Sequence, residues 1–259
     1  MRIATWNINS VRLRIDLVKK LKDEHKPDII MLQETKVDNP LFPIEACKAI
    51  GYEHIHFDGG KSYNGVAILS KIPFDDKFIL PFCKDDKRHT GVRIKDIEIH
   101  NFYVPSGGDI PDIELNDKFK HKLEYLEEMG IWFNKNRKTS DKILLAGDLN
   151  IAPLEHDVWS SKQLRNEVSH TDIERKMMMQ MIDEFGWHDI ARKFVPANEK
   201  LYSWWSYRNR DWEKSNRGRR LDHIWLSEGL KDSCSKFQII REARNWERTS
   251  DHVPVIVDL

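Results

Sequence analysis

The stretch Ile143-Leu144-Leu145-Ala146-Gly147-Asp148-Leu149-Asn150-Ile151-Ala152-Pro153 decides how the rest of the chain is organised. Its apolar first half predicts a buried strand, because a short apolar run that stops at a turn signal is typical of such strands. Asp148 and Asn150 follow at the carboxyl end, where a period of two residues would direct both side chains to one side. There they could orient a water molecule or a metal and hold a phosphate oxygen, or they could form an ordinary strand-ending turn.

The composition of the 259 residues is that of a soluble globular protein with a sizeable core. Hydrophobic residues make up 40% and charged residues 32%. The sequence does not open with a basic start and an apolar run of signal-peptide length, and no segment approaches the length of a membrane span. We therefore expect a cytoplasmic protein that does not associate with membranes.

Cysteine content and net charge exclude further classes. Cys47, Cys83 and Cys234 are widely separated and show no paired spacing, so we expect reduced, structural cysteines rather than a zinc site or disulfide framework. The 42 basic residues balance the 42 acidic residues. Any attraction to an anionic partner must therefore arise from a local patch.

The order of predicted elements indicates a mixed α/β fold. No repeat, linker or low-complexity tract divides residues 1–259, so we predict one domain. Several strands are consecutive while others alternate with helices, which favours two packed sheets with helices outside. The predicted strands are Ile3 to Ile8, Ile29 to Leu32, Gly65 to Ser70, Val92 to Ile94, Ile97 to Val104, the strand ending at Asp148, Leu221 to Leu226 and Val253 to Leu259.

Three amphipathic helices are predicted from apolar residues three or four apart. They run over about Val11 to Lys22, Asp117 to Asn134 and Asp172 to Phe185. In the last helix a stripe of Ile173, Met177, Met181 and Phe185 is expected to face the core.

Polar side chains recur where predicted strands begin or end. Each one has an ordinary alternative, such as an exposed carboxylate, a turn cap or a structural histidine, but together they provide an oxygen ligand for a hard metal, an amide, a phenol and an Asp-His pair. This is the equipment for metal-assisted attack of water on a phosphodiester. The residues are Asn7, Glu34, Tyr103, Asp148, Asn150, Asp222, Asp251 and His252.

Six ordered motifs resemble those of exonuclease III-type abasic-site endonucleases, a bacterial DNA-repair family. They occur in the family order from Ile3 to Val257 and cover essentially the whole chain. The motifs are Thr5-Trp6-Asn7-Ile8-Asn9, Leu32-Gln33-Glu34-Thr35-Lys36, Tyr103-Val104-Pro105, Gly147 to Pro153, Arg220-Leu221-Asp222-His223 and Ser250-Asp251-His252.

The resemblance implies a four-layer αββα sandwich of two mixed β-sheets flanked by helices. It also implies that one or two ions of Mg²⁺ or Mn²⁺ are bound, with Glu34 as the principal ligand and Asn7 and Asp251 beside it. Asp148 and Asn150 belong to the same implied ligand set. Carboxylate oxygens are the donors that such hard cations prefer.

The resemblance further assigns the reaction. Asp148 would position or deprotonate the attacking water, Asn150 and Tyr103 would contact the scissile phosphate, and His252, kept charged by Asp222, would stabilise the added negative charge. The expected substrate is duplex DNA with a missing base, cut on the 5′ side to leave a 3′-hydroxyl. Exonuclease action in the 3′-to-5′ direction and removal of 3′-phosphates or damaged 3′ ends accompany this activity in the family, and we expect a monomer.

DNA contacts are expected around Trp204-Trp205-Ser206-Tyr207 and the run from Arg208 to Arg220, where six basic residues outnumber two acidic ones. A basic stretch among aromatic residues can follow phosphates and wall off an extruded sugar, although it could also be an ordinary solvated face. By resemblance the DNA-binding residues are Ser106, Lys118, Lys122, Trp204, Asn216 and Leu221.

Two positions depart from the family pattern. Ser106 stands where many members carry Asn or Gln, and Arg219 stands where human-type members have an aromatic pocket wall. These changes affect the expected balance between abasic-site incision and exonuclease action.

Two other functions use similar residues. The wider superfamily includes phosphatases and lipid phosphodiesterases, against which the Trp204 to Asp222 segment argues. The second is a DNA-binding module without catalysis, which the presence of Glu34, Asp148 and His252 disfavours.

Overall fold

The computed structural model describes residues 1–80, 82, 84 and 86–259, and Cys83 lies outside these residues. The described strands are β1 (Arg2–Asn7), β2 (Ile29–Gln33), β3 (His54–Gly60), β4 (Tyr63–Ser70), β5 (Asp76–Phe78), β6 (His89–Ile94), β7 (Ile97–Tyr103), β8 (Ile143–Asp148), β9 (His188–Asp189), β10 (Trp204–Trp205), β11 (Gly218–Arg219), β12 (Asp222–Leu226), β13 (Lys236–Ile239) and β14 (Val255–Asp258). The α-helices are α1 (Val11–His25), α2 (Ile44–Ala49), α3 (Asp117–Asn136), α4 (Ser161–Leu164), α5 (Asp172–Phe185), α6 (Ile190–Phe194) and α7 (Trp212–Ser215).

Two mixed six-stranded sheets form the centre of the molecule. Their strand orders are β13-β14-β1-β2-β4-β3 and β5-β6-β7-β8-β12-β9. The β1–β2 and β7–β8 pairs are parallel and the other neighbours in the two sheets are antiparallel. The expected fold class is confirmed.

The space between the sheets is filled mainly by aliphatic side chains. Ile3, Met31 and Ile68 of the first sheet belong to one buried cluster with Leu144 and Ile224 of the second. Burial on both faces explains why β2 and β8 are nearly continuous apolar runs rather than alternating ones.

A polar bridge interrupts the interlayer core near the strand ends. The Gln33 Nε2 donates to Thr5 Oγ1 at 2.9 Å and to Asn101 Oδ1 at 2.7 Å. The Asn101 amide in turn donates to the carbonyls of Leu32 and Ala67, each at 3.0 Å. Buried hydrogen bonds of this kind require one mutual arrangement of the two sheets and therefore help to align their edges.

Helices cover the outer faces. On the first sheet, Val18 and Leu21 of α1 pack into the cluster that contains Trp6. On the second sheet, buried residues of α3 and α5 pack against β7, β8 and β12. None of the helices in the described part of the chain is both long and apolar enough to cross a bilayer.

The predicted stripe on α5 is partly wrong. Ile173 is 47% exposed, whereas Met178, Met181 and Phe185 are buried. The inward face also includes Glu174, which is fully buried. The buried face of α5 therefore consists of Glu174, Met178, Met181 and Phe185 and differs from the predicted apolar stripe.

Candidate active site

The ends of three neighbouring strands bring three of the predicted polar residues into one row. Tyr103 of β7 is the register partner of Asp148 on β8, and Asp222 of β12 is the partner of Asp148 on the other side. Gly147 makes the close strand spacing possible: its φ is +145°, and an added Cβ would lie 1.9 Å from the backbone oxygen of Phe102. The strand register thus places a phenol and two carboxylates side by side.

Asn150 reaches this row by a route that the period of two residues did not predict. The strand ends at Asp148, and Asn150 adopts a left-handed backbone conformation with φ of 54°. Its backbone N–H donates to Asp148 Oδ1 at 3.0 Å, and its Nδ2 donates to the carbonyl of Val104 at 2.9 Å. Asn150 therefore belongs to both the turn and the site. The prediction that strand alternation continues from Asp148 to Asn150 is wrong, because the strand ends at Asp148.

Asp222 and His252 form a buried pair behind Asp148. The His252 Nδ1 lies 2.8 Å from Asp222 Oδ2, and the His252 Nε2 lies 3.6 Å from Asp148 Oδ2. Burial alone would lower the pKa of His252, but the adjacent Asp222 and Asp148 outweigh it and raise the pKa. The imidazole is therefore cationic at neutral pH.

The orientation of Asp222 depends on Ser203, which was absent from the predicted site. Ser203 Oγ donates to Asp222 Oδ2 at 2.6 Å and accepts the backbone N–H of Leu221 and of Asp222, each at 3.1 Å. These contacts hold the carboxylate toward His252. A single serine between Tyr202 and Trp204 gives no pattern by which this role could have been found.

Asp148 is fully enclosed by the groups around it. Burial raises its pKa, while the cation of His252 opposes that rise. Its Oδ2 also accepts from Asn7 Nδ2 at 2.8 Å. The side chain therefore has one oxygen tied to the Asn150 turn and the other directed toward Asn7 and His252.

Glu34 lies across from this pair at the end of β2. Its Oε1 accepts from Tyr103 Oη at 2.7 Å and from Asn7 Nδ2 at 3.0 Å, while Lys36 Nζ lies 2.7 Å from Oε2. Burial favours the protonated acid, but the hydrogen bond and charge of Lys36 dominate and lower the pKa of Glu34. The group is therefore a carboxylate near neutral pH.

The chemistry of these side chains fits a hard divalent cation. One amide nitrogen, Asn7 Nδ2, is shared by the carboxylates of Glu34 and Asp148, so positive charge between them would be favourable. Among the described residues, Asp148, Asp222 and His252 also have ligand atoms within 4.8 Å of one another. In that group Asp222 Oδ2 is already hydrogen-bonded to Ser203 and the imidazole, whereas Glu34 lines the cavity from which a cation would enter.

Asp251 joins the catalytic row to the aromatic wall. Its Oδ2 accepts from Trp204 Nε1 at 2.9 Å, and its backbone oxygen accepts from the Trp205 N–H at 3.0 Å. Trp204 also forms an isolated β-bridge with His252. Trp204, a predicted DNA-binding residue, and the Asp251-His252 motif are consequently neighbours.

A cavity of about 830 Å³ opens beside these groups. Glu34, Asn150, Asp251 and His252 are among the residues that line it. The remainder includes three predicted DNA-binding residues and two arginines, namely Ser106, Trp204, Leu221, Arg217 and Arg219. The predicted catalytic and DNA-contacting groups therefore share one opening.

Other predicted DNA contacts are placed elsewhere. Lys118 is exposed, but Lys122 is fully buried and paired with Glu174, so its predicted role as a backbone contact is wrong. Arg220 is also buried, between Asp157 and Asp189, and does not belong to a surface that follows phosphates. Buried charges need such partners, which neither local charge pattern indicated.

Asn216 is held outside the cavity wall. Its Oδ1 accepts from Trp205 Nε1 at 3.2 Å and from Arg241 Nη2 at 3.1 Å. The residue has a left-handed φ of 44° and ends helix α7. In this conformation its amide oxygen supports the aromatic segment and does not face the cavity.

Comparison with known proteins identifies the family. Residues 4–252 match the Endonuclease/Exonuclease/phosphatase family. The chain belongs to this family. The matched residues include the row of polar side chains at the ends of β7, β8 and β12.

Several similar proteins agree with the resemblance carried by the six motifs. Exodeoxyribonuclease III of Haemophilus influenzae is 30% identical over 269 residues, which cover 98% of each chain. An AP endonuclease structure from Archaeoglobus fulgidus has a TM-score of 0.92 and 33% identity, covering 99% of this chain and 98% of the other. A Neisseria 3′ phosphatase bound to a product DNA hairpin has a TM-score of 0.91 and 29% identity, covering 100% and 99%. The expected relationship to exonuclease III-type endonucleases is confirmed.

Proposed function

We propose that this protein is a divalent-metal-dependent DNA repair nuclease. It incises duplex DNA 5′ to abasic sites, degrades DNA from the 3′ end and removes blocking groups from 3′ termini. The relatives named as exodeoxyribonuclease III and AP endonuclease support this assignment along the whole chain. The observation that carries it is the row of Tyr103, Asp148 and Asp222, with His252, beside one large cavity.

Asp148 is proposed to orient and accept a proton from the attacking water. Its two oxygens are held by different partners, the Asn150 backbone and the Asn7 side chain, so its carboxylate has a defined orientation. Such positioning lowers the entropic cost of attack in line with the leaving oxygen. No covalent bond to the protein is required.

His252 is proposed to stabilise the charge that develops on the phosphate. Asp222 keeps the imidazole cationic and fixes its Nδ1, which leaves Nε2 directed toward Asp148 and the cavity. Asn150 lines the same cavity, and Tyr103 is hydrogen-bonded to Glu34, which also lines it. Preorganised donors of this kind stabilise a transition state without rearranging during the reaction.

Mg²⁺ or Mn²⁺ is the proposed cofactor, as one or two ions. Glu34 would be the main ligand, with Asn7, Asp148, Asn150 and Asp251 as the further candidate donors. When bound, the cation supplies Lewis-acid stabilisation of phosphate charge. Lys36 would have to share the Glu34 carboxylate with it, because the ammonium group lies 2.7 Å from one oxygen.

DNA is proposed to lie along the cavity and its basic wall. Ser106, Trp204 and Leu221 contact the lesion side, and exposed Lys118 is retained as a candidate backbone contact. The structure of the Neisseria relative with a DNA hairpin supports a DNA substrate. Action of residues 1–259 as one domain, a monomeric state and a cytoplasmic location remain predictions.

Incision of a duplex that contains one abasic analogue is the direct test. Wild-type protein with Mg²⁺ is expected to cut 5′ to the lesion, and EDTA should stop the reaction. Asp148→Asn is expected to abolish incision while leaving the Kd for the same duplex within a few fold. No incision by the wild-type protein, together with phosphate release from an inositol phosphate, would instead assign a phosphatase.

Glu34→Gln separates the metal role from the water-positioning role. The substitution removes the ligand charge but preserves the shape of the side chain, so the concentration of Mg²⁺ needed for half-maximal activity should rise. An unchanged metal dependence would exclude Glu34 as the main ligand. Lys36→Met serves as a matched control, because it removes the cation that competes for the same carboxylate.

A further inference from the structure

Arg219 stands out because its cation lies in the wall of the catalytic cavity. The residue forms β11 with Gly218 and is the register partner of Trp204 in β10. Its guanidinium carbon lies 5.5 Å from the centre of the Trp204 ring. Trp204 is bonded to Asp251, so Arg219 has a fixed place beside the catalytic row.

The surroundings orient this guanidinium through neutral oxygens and do not pair it directly with a carboxylate. Its Nη1 donates to the carbonyl of Val168 at 2.8 Å and to Ser169 Oγ at 2.6 Å. Within residues 1–80, 82, 84 and 86–259, no carboxylate lies at ion-pair distance from it, and Glu167 and Glu174 act on its charge only at longer range. Burial lowers the pKa of Arg219, although an arginine remains charged at neutral pH.

The neighbouring Arg220 shows what a structural arginine in this segment looks like. Its guanidinium is bonded to Asp157 and Asp189 and contributes nothing to the cavity. Arg219 differs because two neutral oxygens hold one end of the fork, and neither Nε nor Nη2 has a hydrogen-bond partner within the described residues. A half-buried cation that has carboxylates only at longer range, with two nitrogens of the fork unbonded, is stabilised further when a ligand anion binds it directly.

The position on the wall indicates which part of a substrate would supply it. Arg219 contacts Val168 and Trp204, and its guanidinium makes no hydrogen bond to Glu34 or His252, although all of these residues line the same cavity. Arg219 would therefore meet the group attached beyond the phosphate under attack, on the side away from the DNA strand that keeps its 3′-hydroxyl. An uncharged sugar would need only the apolar and aromatic part of this wall.

We propose that Arg219 is a specificity residue that selects 3′ ends whose blocking group carries its own anion, a carboxylate or second phosphate. The inference rests on the proposed nuclease function and specifies its substrate class. Water attacks the phosphorus, the bond from phosphorus to the DNA O3′ breaks, and O3′ takes up a proton. The blocking group then leaves as a phosphate monoester with its anion bound to Arg219.

Two nicked duplexes that differ only at the end of the blocking group test this proposal. One carries a 3′-phosphoglycolate, which ends in a carboxylate, and the other carries a 3′-(2-hydroxyethyl) phosphate, which ends in a neutral hydroxyl. Binding is measured as Kd in the Asp148→Asn background, and removal is measured as kcat/KM with Mg²⁺ in otherwise wild-type protein. Both measurements are repeated with Arg219→Gln, Arg219→Lys and Arg217→Gln.

Arg219 is expected to favour the glycolate duplex on the order of ten- to a hundred-fold, the range of one hydrogen-bonded charge pair. Arg219→Gln should bring the two duplexes within about three-fold of each other, on the same scale. Arg219→Lys should retain part of the preference, because its charge remains while its two-pronged geometry is lost. Arg217→Gln should weaken both duplexes alike, since Arg217 is exposed and stacks on Trp159 at 4.7 Å.

Equal Kd values for the two duplexes in the protein that retains Arg219 would overturn the proposal. A preference for the glycolate duplex that persists in Arg219→Gln, at an unchanged unfolding midpoint, would also overturn it. Failure of the nuclease assignment has a different signature. In that case neither blocking group is removed by the wild-type protein, while the Kd ratio still reports whether Arg219 recognises the anion.

Discussion

Replacing Lys122 tests whether a buried ion pair supports the catalytic cavity from behind. Lys122 Nζ is paired with Glu174 and donates to the carbonyls of Asn150 at 2.8 Å and Ser106 at 3.2 Å. Glu174 also accepts the backbone N–H of Ser169 and of Thr171. One ammonium group therefore connects three segments, and Ser106, Asn150 and Ser169 of those segments line the cavity.

The expected loss of stability follows from the complete burial of this pair. Burial lowers the pKa of Lys122, and the charge of Glu174 opposes that effect. Lys122→Met leaves the Glu174 carboxylate without its cation, which costs about 3–5 kcal/mol of unfolding free energy for a buried pair. Adding Glu174→Gln removes the stranded charge while keeping an oxygen for the backbone donors, so the double variant should recover about 2 kcal/mol.

Activity should not recover with stability. In both variants the Asn150 carbonyl has lost its donor, so we expect kcat for abasic-site incision to fall at least about ten-fold, as displaced catalytic groups commonly cause. KM should change little. Urea unfolding and steady-state incision on the same preparations measure the two effects separately.

Lys118→Met is the matched control, because Lys118 lies one helical turn away on α3 and is exposed. If it contacts the DNA backbone, its removal raises KM and weakens the salt dependence without changing stability. The same behaviour in Lys122→Met would refute the supporting role. Full recovery of kcat in the double variant would also refute it, because activity would then follow the charge balance and not the Asn150 contact.

Two further predictions concern stability. Burial opposes ionisation of Glu98, but hydrogen bonds from His100 and Arg137 prevail and lower its pKa to about 2. Its contribution is thus complete above the usual carboxyl pKa and is lost as pH falls toward 2, so Glu98→Gln should cost on the order of 2 kcal/mol at pH 7 and much less at pH 3 in urea unfolding. A difference that does not shrink in acid would contradict this reasoning. Gly147→Ala should cost about 3 kcal/mol or more, because its Cβ would overlap the backbone of the neighbouring strand and its φ is +145°. Gly186 also has a positive φ, but an added Cβ would meet only Thr139 Cγ2 at 3.9 Å, so Gly186→Ala should cost about 1 kcal/mol. Equal losses in the two variants would exclude the overlap as the cause.

The row of Tyr103, Asp148 and Asp222 could be predicted from the sequence, because the apolar residues beside them indicate buried strands. β8 begins as an apolar run, and β7 and β12 carry apolar residues near their terminal polar residue, so that polar side chain is expected where the strand ends. Tyr103, Asp148 and Asp222 satisfy this condition and become register partners. Their individual catalytic roles came from the resemblance, since strand patterns alone do not distinguish a ligand from a base.

The lysines and arginines could not be placed in the same way. Lys118 and Lys122 are four residues apart on one helix and share its face, yet only Lys122 meets a buried carboxylate, on a helix 52 residues later. Arg219 and Arg220 are adjacent, but strand alternation turns one toward the cavity and the other into the core. For long charged side chains the environment is decided by tertiary partners, which local charge counts do not contain.

Asn150 shows how turn formation and function can require the same residue. Asp148 accepts the Asn150 backbone N–H, which is an Asx-type turn contact, and the left-handed conformation at Asn150 is one that asparagine tolerates well. That bend brings the Asn150 side chain to the cavity wall and exposes its carbonyl to Lys122. A residue chosen only for the turn, such as glycine, would preserve the bend but remove the amide. Asn150→Gly should therefore cost only about 1 kcal/mol of unfolding free energy, from the lost hydrogen bond to Val104, and lower kcat by far more than this loss of stability explains; an unchanged kcat would mean that the amide serves the fold alone.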